Sequence, residues 1–215
     1  MELPIYYDEA EEWKSALFLY NSALREINTK LEILNDEFKL AHSYNPIEYI
    51  TSRVKSPESI AKKIRHKNKE LTVENIVKYV NDVAGIRVIC SFTSDIYRLA
   101  DAIANQNDVK VLKVKDYITN PKENGYKSYH MIVTVPIFLT DNVIDTKVEI
   151  QIRTIAMDFW ASLEHKIRYK KDLPVIDEID RELLECAELS AQLEDRMERI
   201  QKLADQYRDI EQEAL

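Results

Sequence analysis

Apolar residues recur at alternating steps of four and three in the first and the last parts of the chain. In the first segment, about residues 8–40, they are Trp13, Leu17, Tyr20, Leu24, Ile27, Leu31, Leu34 and Phe38. In the last segment they are Ile179, Leu183, Cys186, Ser190, Leu193, Met197, Ile200, Ala204 and Tyr207. This spacing predicts two amphipathic helices, each of roughly 40 Å at 1.5 Å per residue. The pattern leaves open whether they pack on one domain, on each other or on a second copy of the chain.

Between these segments the period changes, and short runs rich in Val, Ile and Tyr predict strands. The predicted strands cover residues 84–92, 109–117, 128–136 and 144–153, and helical stretches fall near 57–69, 73–81, 94–106 and 154–170. Ser56 before Pro57 is a typical N-cap, and Ser94 is the candidate cap of the next helix. The sum is an α+β or α/β domain with one sheet and long flanking helices.

Composition excludes several classes of protein. The chain has 215 residues, which fits one domain with helical extensions. No apolar run reaches the roughly 18 residues of a membrane span, and the acidic N-terminus does not fit a secretory signal. The two cysteines are far apart, and Cys90 falls in an apolar strand. We therefore expect a cytoplasmic protein without a membrane partner.

Charge is distributed unevenly along the chain. The net charge is −8, yet residues 53–69 hold seven Lys/Arg against one acidic residue, Glu58. Residues 177–215 hold 13 acidic residues against five basic ones. A local cationic patch on an acidic protein favours a defined anionic ligand over general binding of polyanions.

Only two glycines occur, Gly85 and Gly125, where average usage would supply about 15. Both lie in stretches that mix carboxylate, cation, aromatic and amide groups. They mark either two ordinary turns or two positions of a functional site where the backbone needs glycine.

Three sets of polar residues could form such a site. Period two along residues 147–153 places Glu149, Gln151 and Arg153 on one face of a strand, which is either the solvent face of the sheet or the floor of a cleft. The second set is cationic. It comprises Arg53 and Lys55 on an extended segment and Ser59, Lys63 and Lys67 at helical spacing. It is either a binding site for a polyphosphate or a solvated basic face.

The third set surrounds Gly125. Lys115 and Lys122 bracket a loop that ends in Asn124-Gly125-Tyr126, which suits a planar base with phosphates or forms a simple turn. His130 shares its strand face with Ser128 and joins this set.

Asp82, just before a predicted strand, could join Glu149 as a ligand of Mg²⁺, which takes one or two carboxylates and completes its shell with phosphate oxygens and water. The glycine-rich loops of P-loop and dinucleotide-binding proteins are missing, so side chains would hold any phosphates.

Together these sets resemble the RelA/SpoT-type alarmone synthetases. The resemblance rests on order and spacing over about residues 45–170, in Arg53-x-Lys55-x-x-x-Ser59-x-x-x-Lys63, Asp82-x-Ala84-Gly85-x-Arg87, Lys115 through His130, and Val148-Glu149-Ile-Gln151-Ile-Arg153-Thr154. The short length, without a hydrolase domain, is similar to the small alarmone synthetases. The expected division is an N-terminal helical extension at 1–44, a catalytic domain at 45–172 and a C-terminal amphipathic helix at 173–215.

The resemblance implies a nucleotidyltransferase-like mixed sheet and a GTP pyrophosphokinase of stringent-response signalling. Such an enzyme transfers the β,γ-pyrophosphate of ATP to the ribose 3′-hydroxyl of GTP or GDP and releases AMP. It also implies a homotetramer and leaves an RNA or alarmone effector open.

The resemblance also implies a role for each site residue. For ATP, Arg53 and Arg87 flank adenine, and Lys55, Ser59 and Lys63 hold the phosphates. Asp82 and Glu149 bind Mg²⁺, and Glu149 is also suited to accept the 3′-hydroxyl proton. For the acceptor, Lys115 and Lys122 hold the phosphates, Tyr126 stacks on guanine, and Asn124, His130 and Gln151 orient the nucleotide.

Two alternatives stay open at this point. The chain could be a catalytically silent module that binds RNA or nucleotide, or it could use another acceptor, an adenine nucleotide or tRNA. Asp158 stands where relatives more often carry Asn or His, and a carboxylate there would repel the acceptor phosphates or point elsewhere. Tyr49 and Ser52 lie in a stretch that small relatives use for regulation by alarmone, so we do not carry that regulation over.

Overall fold

The computed structural model describes residues 9–42, 45–169 and 177–213. Within them the elements are α1 (Glu9–His42), β1 (Ile47–Val54), α2 (Pro57–His66), α3 (Val73–Tyr79), β2 (Ala84–Cys90), α4 (Thr93–Ala104), β3 (Lys110–Asp116), β4 (Tyr129–Phe138), β5 (Val143–Thr154), α5 (Ile155–Tyr169) and α6 (Asp177–Glu213). The predicted helix ends at residues 8 and 170, and the predicted domain boundary between 172 and 173, lie outside the described residues.

The five strands form one mixed sheet in the order β1-β2-β5-β4-β3. β2 and β5 pair in parallel, while the β1–β2, β5–β4 and β4–β3 pairs are antiparallel. The predicted α+β class with a mixed sheet and flanking helices is therefore confirmed.

α1 contacts β1, β2, β4 and β5 and supplies part of the hydrophobic core. Tyr20, Ile27 and Leu31 of its predicted stripe are almost fully buried. Residues that alternate along β5, among them Val148 and Ile150, belong to the same core. The period-two pattern thus separates the core face of β5 from a face that carries Glu149 and Gln151.

Helix caps follow the prediction at α2 and differ from it at α4. The Ser56 hydroxyl accepts a hydrogen bond from the Ser59 backbone N–H at 3.3 Å, with Pro57 at the first helical position. The predicted cap at Ser94 is wrong, because α4 begins at Thr93 and Phe92 takes the N-cap position. The Asp95 carboxylate accepts a hydrogen bond from the Phe92 backbone N–H at 3.2 Å and thereby satisfies that donor.

β1 was predicted only as an extended segment, and the structure makes it an edge strand. It pairs along its length with β2, from Ile47 opposite Cys90 to Val54 opposite Ala84. Most of its side chains are exposed, so its sequence lacks the apolar alternation that predicts a strand.

α6 lies against α5 through a small second cluster of Trp160, Ala161, Leu183 and Ala187. The predicted C-terminal helix is confirmed, but its apolar stripe is divided between two environments. Leu183 is buried, whereas Cys186, Leu193, Met197 and Ile200 are exposed. No helix in the described part of the chain has the length and apolar character needed to cross a membrane.

The two glycines differ in what the backbone requires of them. Gly125 has φ of +83°, and an added Cβ would lie 2.5 Å from the Ala187 Cβ, so the position needs glycine on both grounds. An added Cβ at Gly85 would meet only the Arg53 carbonyl oxygen at 3.9 Å. The expectation that the backbone needs glycine is therefore confirmed at Gly125 and wrong at Gly85, where the free space belongs to the cleft described next.

Candidate active site

Two rows of polar side chains cross the face of the sheet opposite the core. The register places Arg87 beside Gln151, Gln151 beside His130, and His130 beside Lys115. A second row places Arg53 beside Gly85 and Gly85 beside Glu149. Residues at paired positions share a face of a sheet, so all five strands bring these groups together.

A cleft of about 280 Å³ lies over these rows; its lining comprises Thr51, Ser52, Arg53, Lys55, Asp82, Gly85, Ile86, Arg87, Glu149 and Gln151. A second pocket of about 770 Å³ shares Arg53 and Lys55 with it and adds Ser59, Lys62, Lys63, His66 and His165. The shared residues join the two into one region that is strongly cationic on the side of α2.

Asp82 anchors the cations of this region. Its carboxylate pairs with Lys55 at 2.9 Å and with Lys63 at 2.7 Å. Burial raises the pKa of Asp82, but the hydrogen bonds and charges of Lys63 and Lys55 outweigh it, so the pKa lies below its ordinary value. Asp82 is therefore ionised at neutral pH and holds both ammonium groups at the cleft.

Glu149 lies on β5, the middle strand of the sheet. Its carboxylate accepts a hydrogen bond from Gln151 Nε2 at 3.0 Å and faces His130 Nδ1 at 3.5 Å. Burial raises the pKa of Glu149. The hydrogen bond and charge of His130 and the hydrogen bond of Gln151 outweigh this effect, so the pKa lies below its ordinary value. The group is a carboxylate at neutral pH and can accept a proton or bind a cation.

Aromatic rings and lysines gather on the other side of Glu149. Tyr117, Tyr126 and His130 meet edge to face, with ring centroids 5.3–6.0 Å apart. The Lys122 ammonium lies 4.5 Å from the Tyr126 ring centroid, and that of Lys115 lies 6.0 Å from the Tyr117 centroid. Rings beside lysine ammonium groups suit a planar base that carries phosphates.

Residues 52–173 match the family model described as the region found in RelA / SpoT proteins. The chain is 48% identical over 195 residues to GTP pyrophosphokinase YwaC of Bacillus subtilis, covering 91% of this chain and 93% of that protein. The chain belongs to the RelA/SpoT family.

Solved structures place it beside the small members of this family. The crystal structure of small alarmone synthetase 2 from B. subtilis superposes with a TM-score of 0.81 at 46% identity, covering 89% of this chain and 98% of that one. Small alarmone synthetase 1 from the same organism, bound to its product pppGpp, superposes with a TM-score of 0.82 at 33% identity, covering 89% and 97%. The predicted family and fold are thus confirmed.

The site residues of the RelA/SpoT motifs come together as two groups joined at Glu149. The first group comprises Arg53, Lys55, Ser59, Lys63, Asp82, Arg87, Glu149 and Gln151 around the two pockets. The second comprises Lys115, Lys122, Tyr126 and His130 in the aromatic cluster. Lys67 caps the C-terminal end of α2 and is absent from the lining of both pockets.

Asn124 holds the loop through its side-chain amide. Its side-chain oxygen accepts a hydrogen bond from the Tyr126 backbone N–H at 3.3 Å, and its amide nitrogen donates to Glu164 at 3.4 Å. The amide is therefore engaged on both sides, and contact with a base would require it to exchange a partner.

Arg153, a buried residue at the end of β5, has no role among those that the family resemblance implies. Its guanidinium donates to the Tyr126 hydroxyl at 2.7 Å, to Gln151 Oε1 at 3.3 Å and to Asp158 Oδ1 at 2.9 Å. Arg153 therefore links the aromatic cluster to the row of Glu149. The strand alternation placed it on the correct face, and this was the available signal.

Asp158 is paired with cations and does not face free solvent in the cleft. Besides Arg153 it contacts Arg87 at 3.3 Å, and its other oxygen accepts a hydrogen bond from the Tyr49 hydroxyl at 3.0 Å. The expectation that this carboxylate would repel acceptor phosphates is wrong, because two guanidinium groups neutralise it; the alternative, that it points elsewhere, agrees with the structure.

Proposed function

We propose that the protein is a (p)ppGpp synthetase that transfers the β,γ-pyrophosphate of ATP to the ribose 3′-hydroxyl of GTP or GDP and releases AMP. The predicted enzyme class, GTP pyrophosphokinase, is also that of YwaC, the B. subtilis relative that shares nearly half of its residues. The observation that carries the proposal is the position of Glu149 between a cationic pocket and an aromatic cluster, with His130 in contact with both Glu149 and Tyr126.

The cationic pocket is the proposed site of ATP. Arg53 and Arg87 line the cleft on β1 and β2, where their planar guanidinium groups can flank adenine. Lys55, Ser59 and Lys63 would hold the phosphates. The pairing of Asp82 with both lysines supports this role, because it holds the ammonium groups close together before the nucleotide arrives.

The aromatic cluster is the proposed site of the acceptor. Tyr126 would stack on guanine, and Lys115 and Lys122 would bind the 5′-phosphates. The ammonium of Lys122 lies over the Tyr126 ring. If this ammonium moved to a phosphate of the acceptor, the ring face that it covers would become available to the base. Gln151 and His130 would orient the ribose beside Glu149, and Asn124 would contact the base or continue to hold the loop.

In the proposed reaction the 3′-oxygen of the acceptor attacks the β-phosphorus of ATP. The bond between that phosphorus and the oxygen that bridges to the α-phosphate breaks, and AMP leaves with that oxygen. Glu149 accepts the 3′-hydroxyl proton. Phosphoryl-type transfer depends mainly on alignment and charge neutralisation, which the lysines, Arg53 and Arg87 supply around the cleft.

Asp82 and Glu149 fit Mg²⁺ by the chemistry of their donors. Both are ionised carboxylates that line the same cleft, and Mg²⁺ prefers oxygen ligands, takes one or two carboxylates and leaves positions for phosphate and water. No group of three or more His, Cys, Asp or Glu in the described part of the chain is arranged to hold a metal ion. Bound Mg²⁺ would offset the negative charge of the triphosphate.

The test is a product analysis of the purified protein with ATP, Mg²⁺ and GTP, GDP or AMP in turn, resolved by anion-exchange chromatography. We expect AMP release in equal amount to a guanosine product that carries two additional phosphates. Transfer to AMP alone would contradict the guanine acceptor. Retention of nucleotide or RNA without turnover would contradict the enzyme and favour a binding module.

A further inference from the structure

The loop from Lys122 to Tyr126 rests against α6. A Cβ built on Gly125 would lie 2.5 Å from the Ala187 Cβ and 3.3 Å from Leu184 Cδ1. Real Cβ atoms do not approach each other as closely as 2.5 Å, so the loop could not lie at this distance from α6 if position 125 carried a side chain.

α6 is held at this place by contacts that also involve the aromatic cluster. The Trp160 indole N–H donates to the Leu183 carbonyl oxygen at 2.8 Å. Trp160, Leu183 and Ala187 belong to one buried cluster, and the partly buried Tyr126 packs against it. The helix that touches Gly125 therefore also contributes to the packing around the next residue, Tyr126.

Hydrogen bonds inside the loop couple the position of Gly125 to the positions of Lys122 and Tyr126. The Gly125 N–H donates to the Lys122 carbonyl at 2.8 Å, and the Lys122 N–H donates to the Tyr126 carbonyl at 3.2 Å. These bonds close a tight turn, so a displacement of Gly125 from α6 would also displace Lys122 and Tyr126.

We propose that Ala187 is a positioning residue for the acceptor nucleotide. Its small side chain lets the loop approach α6, and this approach places Tyr126 and Lys122 for the acceptor. The inference rests on the proposed function, because the loop is an acceptor site only if the protein transfers pyrophosphate to a guanine nucleotide. No described residue of α6 lines the cleft or the cationic pocket, so the effect should fall on GTP and spare ATP.

The direct test is Ala187→Leu, with KM and kcat measured for GTP and for ATP. A branched side chain at this position would push Gly125 away, and a displacement near 1 Å can cost up to about 100-fold in rate. We expect a loss of roughly 10- to 100-fold in kcat/KM for GTP, carried mainly by a higher KM, with the KM for ATP unchanged. Cys186→Leu is the matched control, because it adds the same side chain at the neighbouring, exposed position.

A size exchange provides the second test and does not depend on Ala187→Leu folding. Gly125→Ala should raise the KM for GTP. Adding Ala187→Gly should reverse part of this rise, because it removes the Ala187 methyl group with which the new Cβ at position 125 clashes. The remaining loss reflects the left-handed φ at position 125. Thermal unfolding of each variant shows whether the fold is kept.

Equal KM values for GTP in Ala187→Leu and Cys186→Leu would overturn the inference. So would an equal rise of both KM values in Ala187→Leu, since that indicates general loosening, or a double variant no better than Gly125→Ala. A wild-type protein that makes no guanosine product with any acceptor would instead refute the proposed function, so the two failures are distinguishable.

Discussion

At the scale of single residues, Asp158 pairs with two guanidinium groups, of which Arg87 lines the cleft and Arg153 contacts the aromatic cluster. Arg87 lies on β2 beside the proposed adenine site, and Arg153 contacts Tyr126 of the aromatic cluster. The pKa of Arg87 is lowered, by burial and then by the charge of Arg153, while Asp158 acts in the opposite direction. Without the carboxylate, two like charges would face each other in a partly buried site.

Replacing Asp158 tests this role. We expect Asp158→Ala to lower the free energy of unfolding by about 3–5 kcal/mol, because Arg153 would remain buried without a counter-charge. Asp158→Asn should cost less, since its amide oxygen can still accept hydrogen bonds. Urea unfolding measures both, with Asp145→Ala at an exposed position of β5 as the control. A loss below about 1 kcal/mol in Asp158→Ala would contradict the assigned role.

At the scale of elements, apolar alternation in the sequence predicts some strands and their buried faces but not others. β5 could be predicted with its functional face, because Val148 and Ile150 alternate with Glu149 and Gln151 and the sheet buries one set. β1 could not be predicted as a strand, because an edge strand with most side chains exposed needs no apolar alternation. What it needs is hydrogen bonding to β2, which only the assembled sheet provides.

Long helices show the same distinction. The stripe of α1 predicts its buried face, because one sheet covers it over most of its length. The apolar stripe of α6 does not predict which of its residues are buried, because the short cluster around Trp160 covers only a few turns of the helix. The network of Arg153 and Asp158 also escaped sequence analysis, since it depends on how the first turn of α5 follows the end of β5.

The turn after β3 provides a prediction on pH at this scale. Asp116 accepts hydrogen bonds from the backbone N–H groups of Ile118 and Thr119 at 2.8 and 3.1 Å and from the Tyr97 hydroxyl at 3.1 Å. Burial raises the pKa of Asp116, but these hydrogen bonds outweigh it and hold the pKa below the ordinary value of 3.8. The ionised group therefore stabilises the fold above its unfolded-state pKa, and this contribution is lost as pH falls through the folded-state pKa.

We expect Asp116→Asn to lower the free energy of unfolding by about 1 kcal/mol at pH 7, with a gap to wild type that shrinks below pH 3.8. Urea unfolding at pH 7, 5, 4 and 3 measures this gap, and Asp145→Asn serves as the exposed control. A gap of constant size at pH 7 and pH 3 would show that the charge of Asp116 does not contribute.

At the scale of the whole molecule, α6 has two different parts along its length. Its first turns carry Leu183 and Ala187 onto the body of the protein, near the acceptor loop. Farther along the same stripe, Leu193 is 61% exposed and Ile200 57% exposed. The homo-oligomer predicted from the family resemblance, expected to be a tetramer, would have an apolar surface available there.

Charged substitutions in that exposed part of the stripe test self-association without changing the docked residues Leu183 and Ala187. We expect Leu193→Lys combined with Ile200→Lys to reduce the mass measured by light scattering, because burial of two ammonium groups opposes apolar contact. Phe138→Lys, at a position 76% exposed on β4, is the control and should leave the mass unchanged. An unchanged mass in the α6 variant would contradict an oligomer held by this exposed part of α6.

The central claim is that Glu149 is the group on which pyrophosphate transfer depends, and one comparison of variants tests it most directly. Wild type, Glu149→Gln and Asp145→Asn are each given ATP, Mg²⁺ and GTP, and formation of the guanosine product with two additional phosphates is timed. Loss of a general base typically costs at least about 100-fold, so Glu149→Gln should fall by that factor while Asp145→Asn keeps the wild-type rate. A Glu149→Gln variant that turns over at nearly the wild-type rate would remove Glu149 from the mechanism and contradict the account.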